Sequence, residues 1–289
     1  MSNRKKVVAL GFFDGVHVGH QALLSKMTDV SEGGLRCVYT FENHPASFFK
    51  PCEKHEYICL PEEKIELLKK YGAQEILSPR FNEKIASVTA DDFARFLFEH
   101  LGTKAVVVGK NYRFGKGAQG DSQLLAAFAE KRGASVHVVD TVELFGEAVS
   151  STRIRMAVKN GDVEAAGEML RRPFAISGKV VEGKKLGRTL NIPTANITAP
   201  ENRVIPLDGV YEGRVTVEGE SYRAVVNVGA NPTVDGKMRT IESHILDFSQ
   251  NIYGEEITIS FISRIRGEVK FASVEELKEQ ILRDIASVK

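Results

Sequence analysis

The chain has 289 residues, more than one compact domain usually holds, and 43% of them are hydrophobic, enough for two packed cores. Its 39 lysines and arginines against 38 aspartates and glutamates leave a formal charge of +1, which excludes a general polyanion-binding surface and so nucleic acid as a partner. The start Met-Ser-Asn-Arg-Lys-Lys opens onto an apolar run too short for a signal or a membrane span, so a cytoplasmic location without membrane partners is expected. Three cysteines without paired spacing, Cys37, Cys52 and Cys59, argue against a disulfide framework or zinc site and read as packing residues.

The first predicted strand is the apolar run Val7 to Leu10, which leads into Gly11-Phe12-Phe13-Asp14-Gly15-Val16-His17-Val18-Gly19-His20. Histidines and glycines at a strand-to-helix junction suit a phosphate. The first N–H groups of a helix lack partners, the macrodipole is positive there, and glycine lets an anion approach the main chain. A tight turn with histidine caps is the plainer alternative. A second strand, Leu35 to Phe41, is followed by Glu42-Asn43-His44-Pro45. Pro61 then opens a helix with Ile65, Leu67 and Leu68 on its apolar face and Gly72 beyond its end. A third strand is expected at Glu75 to Leu77. Thr89 and Asp92 form a capping pattern for the next helix, whose Phe93, Phe96, Leu97 and Leu101 read as core. Strands at Ala105 to Val108 and Ser135 to Val139 complete an alternation that implies a mostly parallel sheet, with ligands beyond the strand ends at Gly11, Phe41 and Gly109. The loop from Gly109 to Gly117 mixes glycines, cations and aromatics, which suits a flat ring bearing a phosphate and equally an ordinary surface loop. Val149-Ser150-Ser151-Thr152-Arg153-Ile154-Arg155 places hydroxyls and arginines at the start of another helix, a further anion-binding pattern.

From about Ala175 the helical period gives way to short β-like runs at Ile176 to Val181, Val210 to Val217, Tyr222 to Val228, Thr240 to Leu246 and Glu256 to Phe261. Turn signals at Gly183, Gly209, Gly219 and Asn231-Pro232 space them too closely for crossover helices, which implies an antiparallel barrel. The boundary is placed at Arg172-Pro173, giving domains 1–172 and 173–289. Ser273 and Glu276 cap a last helix whose Val274, Leu277, Ile281 and Ile285 would cover the barrel, and no heptad run announces a partner, so a monomer is favoured. In Pro193-Thr194-Ala195-Asn196 a hydroxyl and an amide oxygen two apart are hard donors suited to Mg²⁺; in isolation a proline turn capped by Asn196 reads better. Glu242 is by itself either a base or a strand-face charge, with His244 on the same face.

The string from Phe13 to His20, with its H-x-G-H core, resembles the opening motif of the bacterial bifunctional riboflavin kinase/FMN adenylyltransferases, also called FAD synthetases. Further strings match in order. They are His44-Pro45, Gly109-Lys110-Asn111-Tyr112-Arg113-Phe114-Gly115, the Ser151 to Arg155 segment, Pro193 to Asn196, Asn227 to Thr233 and Glu242 to Phe248. The resemblance implies a Rossmann-like α/β nucleotidylyltransferase sheet followed by an antiparallel β-barrel with a C-terminal helix. It implies two ATP-dependent reactions, riboflavin to FMN in the barrel and FMN to FAD and pyrophosphate in the α/β domain, with Mg²⁺. It carries ATP over to Gly11, Phe13, Asp14, Gly15, His17, Gly19, His20, Ser151, Thr152, Arg155 and Thr194, flavin to His44, Pro45, Asn111 and Arg266, and metal to Thr194 and Asn196. His17, His20 and Glu242 are the implied catalytic residues, Glu242 as base. The family commonly has proline at Asn43 and glycine at Arg171 and Asn191. An enzyme with one active half, or a non-catalytic flavin-binding regulatory protein, are the alternatives to full bifunctionality.

Overall fold

The computed structural model describes residues 5–182, 192–233 and 236–288, with backbone alone at 230–233 and 236–238. The chain divides into two compact units, Met1–Ser151 and Thr152–Lys289.

In the first unit five strands, β1 (Lys6–Leu10), β2 (Leu35–Tyr39), β3 (Glu75–Leu77), β4 (Thr103–Gly109) and β5 (Ser135–Val139), form a parallel sheet in the order β3-β2-β1-β4-β5. The apolar run of β1 serves two cores at once, because successive side chains leave opposite faces of a strand. Val7 and Ala9 pack with Leu24 and Met27 of helix α1 (Val18–Asp29), whereas Val8 and Leu10 pack with Leu97, Phe98 and Leu125 on the other face. The strand order reverses at β1, with β2 on one side and β4 on the other. That switch point is where ligand crevices open in such sheets, and it sets the loops after Gly11, Phe41 and Gly109 side by side.

Between the strands run α2 (Pro45–Phe49), α3 (Pro61–Lys70), α4 (Glu83–Ala86), α5 (Ala90–Arg95) and α6 (Ser122–Glu130). Pro61 stands at the first position of α3 and Gly72, at φ +98°, lies past its end. The Thr89 hydroxyl accepts the Asp92 N–H at 3.1 Å, as its capping pattern predicted. The helix after it departs from expectation. α5 gives way at Phe96 to a π-turn, Phe96–His100, which shifts the helical register. Leu97 is buried as predicted, but Phe96 remains 36% exposed and stands beside Tyr39 instead of entering the core. The cysteines divide likewise. Cys37 is buried, its thiol pushed up to about 12 by burial, and Cys59 is buried too, but Cys52 is exposed and is no core residue.

The second unit takes in all of α7 (Ser151–Lys159) but its first residue, then α8 (Val163–Leu170) and a closed six-stranded antiparallel barrel. Its strands are β8 (Phe174–Val181), β9 (Ala195–Thr198), β10 (Gly209–Val217), β11 (Glu220–Thr233), β12 (Gly236–Ile245) and β13 (Glu256–Arg266), with β6 (Glu143–Leu144) and β7 (Glu147–Ala148) forming a small hairpin earlier in the chain. Glu218 and Gly219, at φ 48° and 88°, make the two-residue turn that joins β10 to β11 with the twist such hairpins need. Two expectations are corrected. β11 runs on through Asn231-Pro232 to Thr233, because β10 pairs with β11 only as far as Val228 and a proline is admissible where a strand is paired on one side alone. Ala195–Thr198, read as part of a connection, is a barrel strand paired with β12 and β8. The turn signal Gly183 and the departure Asn191 lie outside the described residues. Helix α9 (Val274–Ser287) starts at the Ser273 cap, and its Ile285 joins Val210, Val225 and Val288 in a cluster at the barrel wall.

Candidate functional sites

The loop leaving β1 is held in a conformation that its residues would not choose. Phe13, Gly15 and Val16 have φ of 60°, 77° and 42°, and for a β-branched valine that region is strained. The strain is held by neighbours. Asp14 Oδ1 accepts the N–H groups of Ile58 (2.9 Å) and Cys59 (3.3 Å), Cys59 Sγ accepts the Gly15 N–H (3.1 Å), and the Ser151 hydroxyl donates to the Asp14 carbonyl (3.0 Å). The Asp14 carboxylate is thus engaged in shaping the loop. A Cβ on Gly15 would stand 2.8 Å from Ile58 Cγ2. Gly15→Ala is accordingly expected to cost roughly 2–4 kcal/mol of stability, left-handed strain plus overpacking, measured by urea unfolding.

At the foot of this loop α1 begins. His17 is its N-cap residue but makes no side-chain cap bond, and His20 lies three residues on, so the two imidazoles share a face. Their rings stack at 3.7 Å between centroids. Gly19 makes room for the stack, since a Cβ there would sit 3.2 Å from the His17 ring. Burial, then the neighbouring His17, then Lys64 hold His20 well below the usual histidine range, so its imidazole is neutral at pH 7.

The loop after β2 closes on the same end of the sheet. His44 caps α2, its Nδ1 accepting the Ala46 N–H at 3.0 Å, and its ring stands edge-on to Phe12 at 4.5 Å and stacks on His55 at 3.9 Å. Asn43 does what no proline could. Its side-chain amide accepts the Phe81 N–H (2.8 Å) and donates to the Phe81 carbonyl (3.2 Å), which pins the loops after β2 and β3 together. Phe41, Phe48 and Phe49 pack around Phe81, and Phe49 is 64% exposed. Asn111 stands exposed in the loop after β4, related to the others by strand order alone, and Tyr112 behind it stacks on Phe114. Within α7 Arg155 Nη2 donates to the Thr152 hydroxyl at 3.2 Å.

The barrel brings a second group of predicted residues together. The ladder sets Glu242 of β12 opposite Asn227 of β11 and Asn196 of β9, so the three form one cross-strand row. Glu242 and Asn227 line a cavity of about 600 Å³ with Thr194, His244, Arg266 and Phe271, a size ordinary for a small-molecule site. A second cavity of about 290 Å³ is walled by Thr194, Asn196 and Ser243 with the Phe248 to Tyr253 segment. Thr194 belongs to both. His244 Nδ1 donates to the Pro193 carbonyl at 2.8 Å and steadies the Pro193-Thr194 turn, a role that the sequence did not suggest. The Asn196 amide nitrogen lies 3.4 Å from the Thr194 hydroxyl, so an amide flip brings two neutral oxygens to one point. Arg266 reaches the larger cavity, but its fork is spent on Asp284 of α9. Nε contacts both carboxylate oxygens at 3.1 Å, Nη2 contacts Oδ2 at 2.7 Å, and Gln280 donates to Oδ1 at 2.8 Å. Asp284, Glu268 and the buried Lys64 escaped the sequence reading. Lys64 had a signal, since it precedes the core residue Leu68 by one helical turn.

Residues 1–153 match the family described as FAD synthetase and residues 170–289 the one described as riboflavin kinase. A bifunctional riboflavin kinase/FMN adenylyltransferase of Pseudomonas fluorescens is 38% identical over 292 residues, covering 99% of this chain and 93% of that protein. The protein of the same description from Escherichia coli strain K12 is 38% identical over 284 residues, covering 96% and 90%. A crystal structure from Streptococcus pneumoniae, described as a macrolide-efflux protein, superposes with a TM-score of 0.92 at 34% identity over 99% of this chain and 94% of that one. Among the described residues of this chain no helix is long and apolar enough to cross a membrane. With both family matches in order and relatives aligned from end to end, the chain belongs to the bifunctional riboflavin kinase/FMN adenylyltransferase family.

Proposed function

We propose that the barrel phosphorylates riboflavin and that the α/β domain then adenylylates the FMN so formed, with the domains at 1–172 and 173–289. The observation that carries the reading is that Glu242 and Thr194 line one cavity while Thr194 and Asn196 line the next. That is the layout a phosphoryl transfer needs, with acceptor and donor meeting at one hydroxyl. Riboflavin occupies the larger cavity and ATP the smaller. Glu242 accepts the proton of the ribityl hydroxyl as its oxygen bonds to the γ-phosphorus, and the bond from that phosphorus to ADP breaks. Thr194 and Asn196 would hold Mg²⁺; among the described residues no group of three His, Cys, Asp or Glu competes as a metal cluster, and two neutral oxygens suit a hard cation that keeps its waters. When bound with ATP, the ion neutralises charge on the phosphoryl oxygens.

In the α/β domain the nucleophile is the FMN phosphate, so no base is required. An FMN oxygen bonds to the α-phosphorus of ATP and pyrophosphate departs. Gly11, Phe13, Asp14, Gly15 and Gly19 shape the phosphate-binding loop, His17 and His20 donate to phosphoryl oxygens, and Ser151, Thr152 and Arg155 hold the triphosphate. His44, Pro45 and Asn111 take the flavin in the α/β domain, and Arg266 borders the flavin in the larger barrel cavity while its ion pair with Asp284 anchors α9 there. The partners are these small molecules. A monomer in the cytoplasm, where free thiols such as Cys37 and Cys59 persist, completes the reading.

Incubation with riboflavin, ATP and Mg²⁺ followed by flavin chromatography tests it. FMN should appear first and FAD after it; a mixture that stays riboflavin refutes the proposal. Asn43→Ala removes two hydrogen bonds to Phe81 and is expected to raise the KM for FMN by roughly fivefold or more, at about 1 kcal/mol per bond, with the KM for ATP unchanged in the same assay.

A further inference from the structure

Lys64 is 3% exposed, although it lies on α3, whose Glu62, Glu66, Lys69 and Lys70 all face solvent. Its Nζ donates to the Phe41 carbonyl at 2.6 Å and stands 4.2 Å from the centroid of the Phe12 ring. Phe41 lies just beyond β2 and Phe12 just beyond β1. Through Phe12 the ammonium touches the ring that packs on His44, and the next residue, Phe13, packs on His20 at 5.0 Å. A cation costs free energy to bury, and here the Phe41 carbonyl, the Phe12 face and the charges of Asp14 and Glu42 offset that cost.

We infer that Lys64 is a positioning residue for adenylyl transfer, whose buried ammonium ties the loop leaving β1 to the loop leaving β2 and so sets the spacing between the histidine pair and His44. This rests on the assignment of adenylyl transfer to residues 1–172. The head group is engaged with the Phe41 carbonyl and the Phe12 face, so Lys64 acts through the loops and not as a ligand. It also acts through charge. Burial lowers the proton affinity of Lys64, while Cys59, Asp14 and Glu42 act against that and favour its cation. Burial first, then His17 from the start of α1, then that cation oppose protonation of His20.

The test compares K64M and K64R with the wild type in the full chain, reading FAD formation and, in the same preparation, riboflavin phosphorylation. K64M is expected to lose about tenfold in kcat/KM for FMN, the scale of one charge-assisted hydrogen bond, with riboflavin phosphorylation unchanged. Relieved of a nearby positive charge, His20 protonates more readily, so the pH profile of FAD formation moves to higher pH in K64M and stays in place in K64R. A folded K64M with wild-type FMN kinetics, or with a slower rate on an unmoved pH profile, overturns the inference. If K64M does not fold, K64R decides: a raised KM for FMN with an unchanged KM for ATP supports it, and wild-type values for both overturn it. Failure of the wild type to form FAD would defeat the adenylyl-transfer assignment itself.

Discussion

Glu242→Ala is expected to slow riboflavin phosphorylation by about two to four orders of magnitude, the usual worth of a positioned general base, while FMN adenylylation continues at the wild-type rate. The ladder is the reason for assigning this effect to one carboxylate. Glu242 stands between Asn227 and Asn196 in register, on the strand whose next residue on the same face, His244, braces the Pro193 carbonyl. A carboxylate in that row lines the same cavity as Thr194, and its strand is paired on both edges. Glu242→Gln keeps the shape and loses the base, so it should share most of the defect; if only the alanine variant is slow, Glu242 serves packing and not proton transfer. The measurement is FMN formed from riboflavin and ATP. A Glu242→Ala enzyme that phosphorylates at the wild-type rate would hand the proton to Glu268, the other glutamate lining this cavity.

Much of this arrangement is legible in the sequence because it depends on short-range pattern. The run Val7 to Leu10 marks a strand buried on both faces, and His17 with His20 at i, i+3 marks two imidazoles on one helix face. Ser273 with Glu276 marks the start of α9. What stays hidden depends on distant partners. Ala195–Thr198 has no alternation of its own and becomes a strand only because β12 and β8 flank it. Arg266 is carried to flavin by resemblance, but what fixes its guanidinium beside that cavity is Asp284, 18 residues later, which no local pattern announces. The strain at Val16 is equally invisible, since the groups that hold the loop, Ile58, Cys59 and Ser151, lie 44, 45 and 137 residues from Asp14. Asn43 departs from the family pattern, yet its bonds to Phe81 supply by hydrogen bonding a fixed loop that proline would supply by its ring.

Replacing His17 and His20 together by glutamine is expected to reduce FAD formation at least a hundredfold and to leave FMN formation intact. Removing one donor aimed at developing charge costs about 10²–10³ in rate, and because the stacked rings act as a unit the double loss will fall short of the product of the single losses. The measurement is pyrophosphate released from FMN and ATP. Release at the wild-type rate would move the phosphate site away from the α1 N-terminus. The stack also has a cost that pH exposes. His20 binds its proton more weakly in the folded chain than at the unfolded value of 6.5, so below that pH the unfolded state takes up a proton that the folded state refuses. Stability attributable to His20 is therefore whole above pH 6.5 and falls as pH drops from there toward the lowered folded value, by at most about 1.4 kcal/mol per pH unit. His20→Gln should flatten this part of the urea-midpoint profile between pH 7.5 and 5.5; an unchanged slope would mean that His20 is not held neutral. On the proposed role this weak basicity is no obstacle, because a neutral imidazole keeps one N–H to donate to a phosphoryl oxygen.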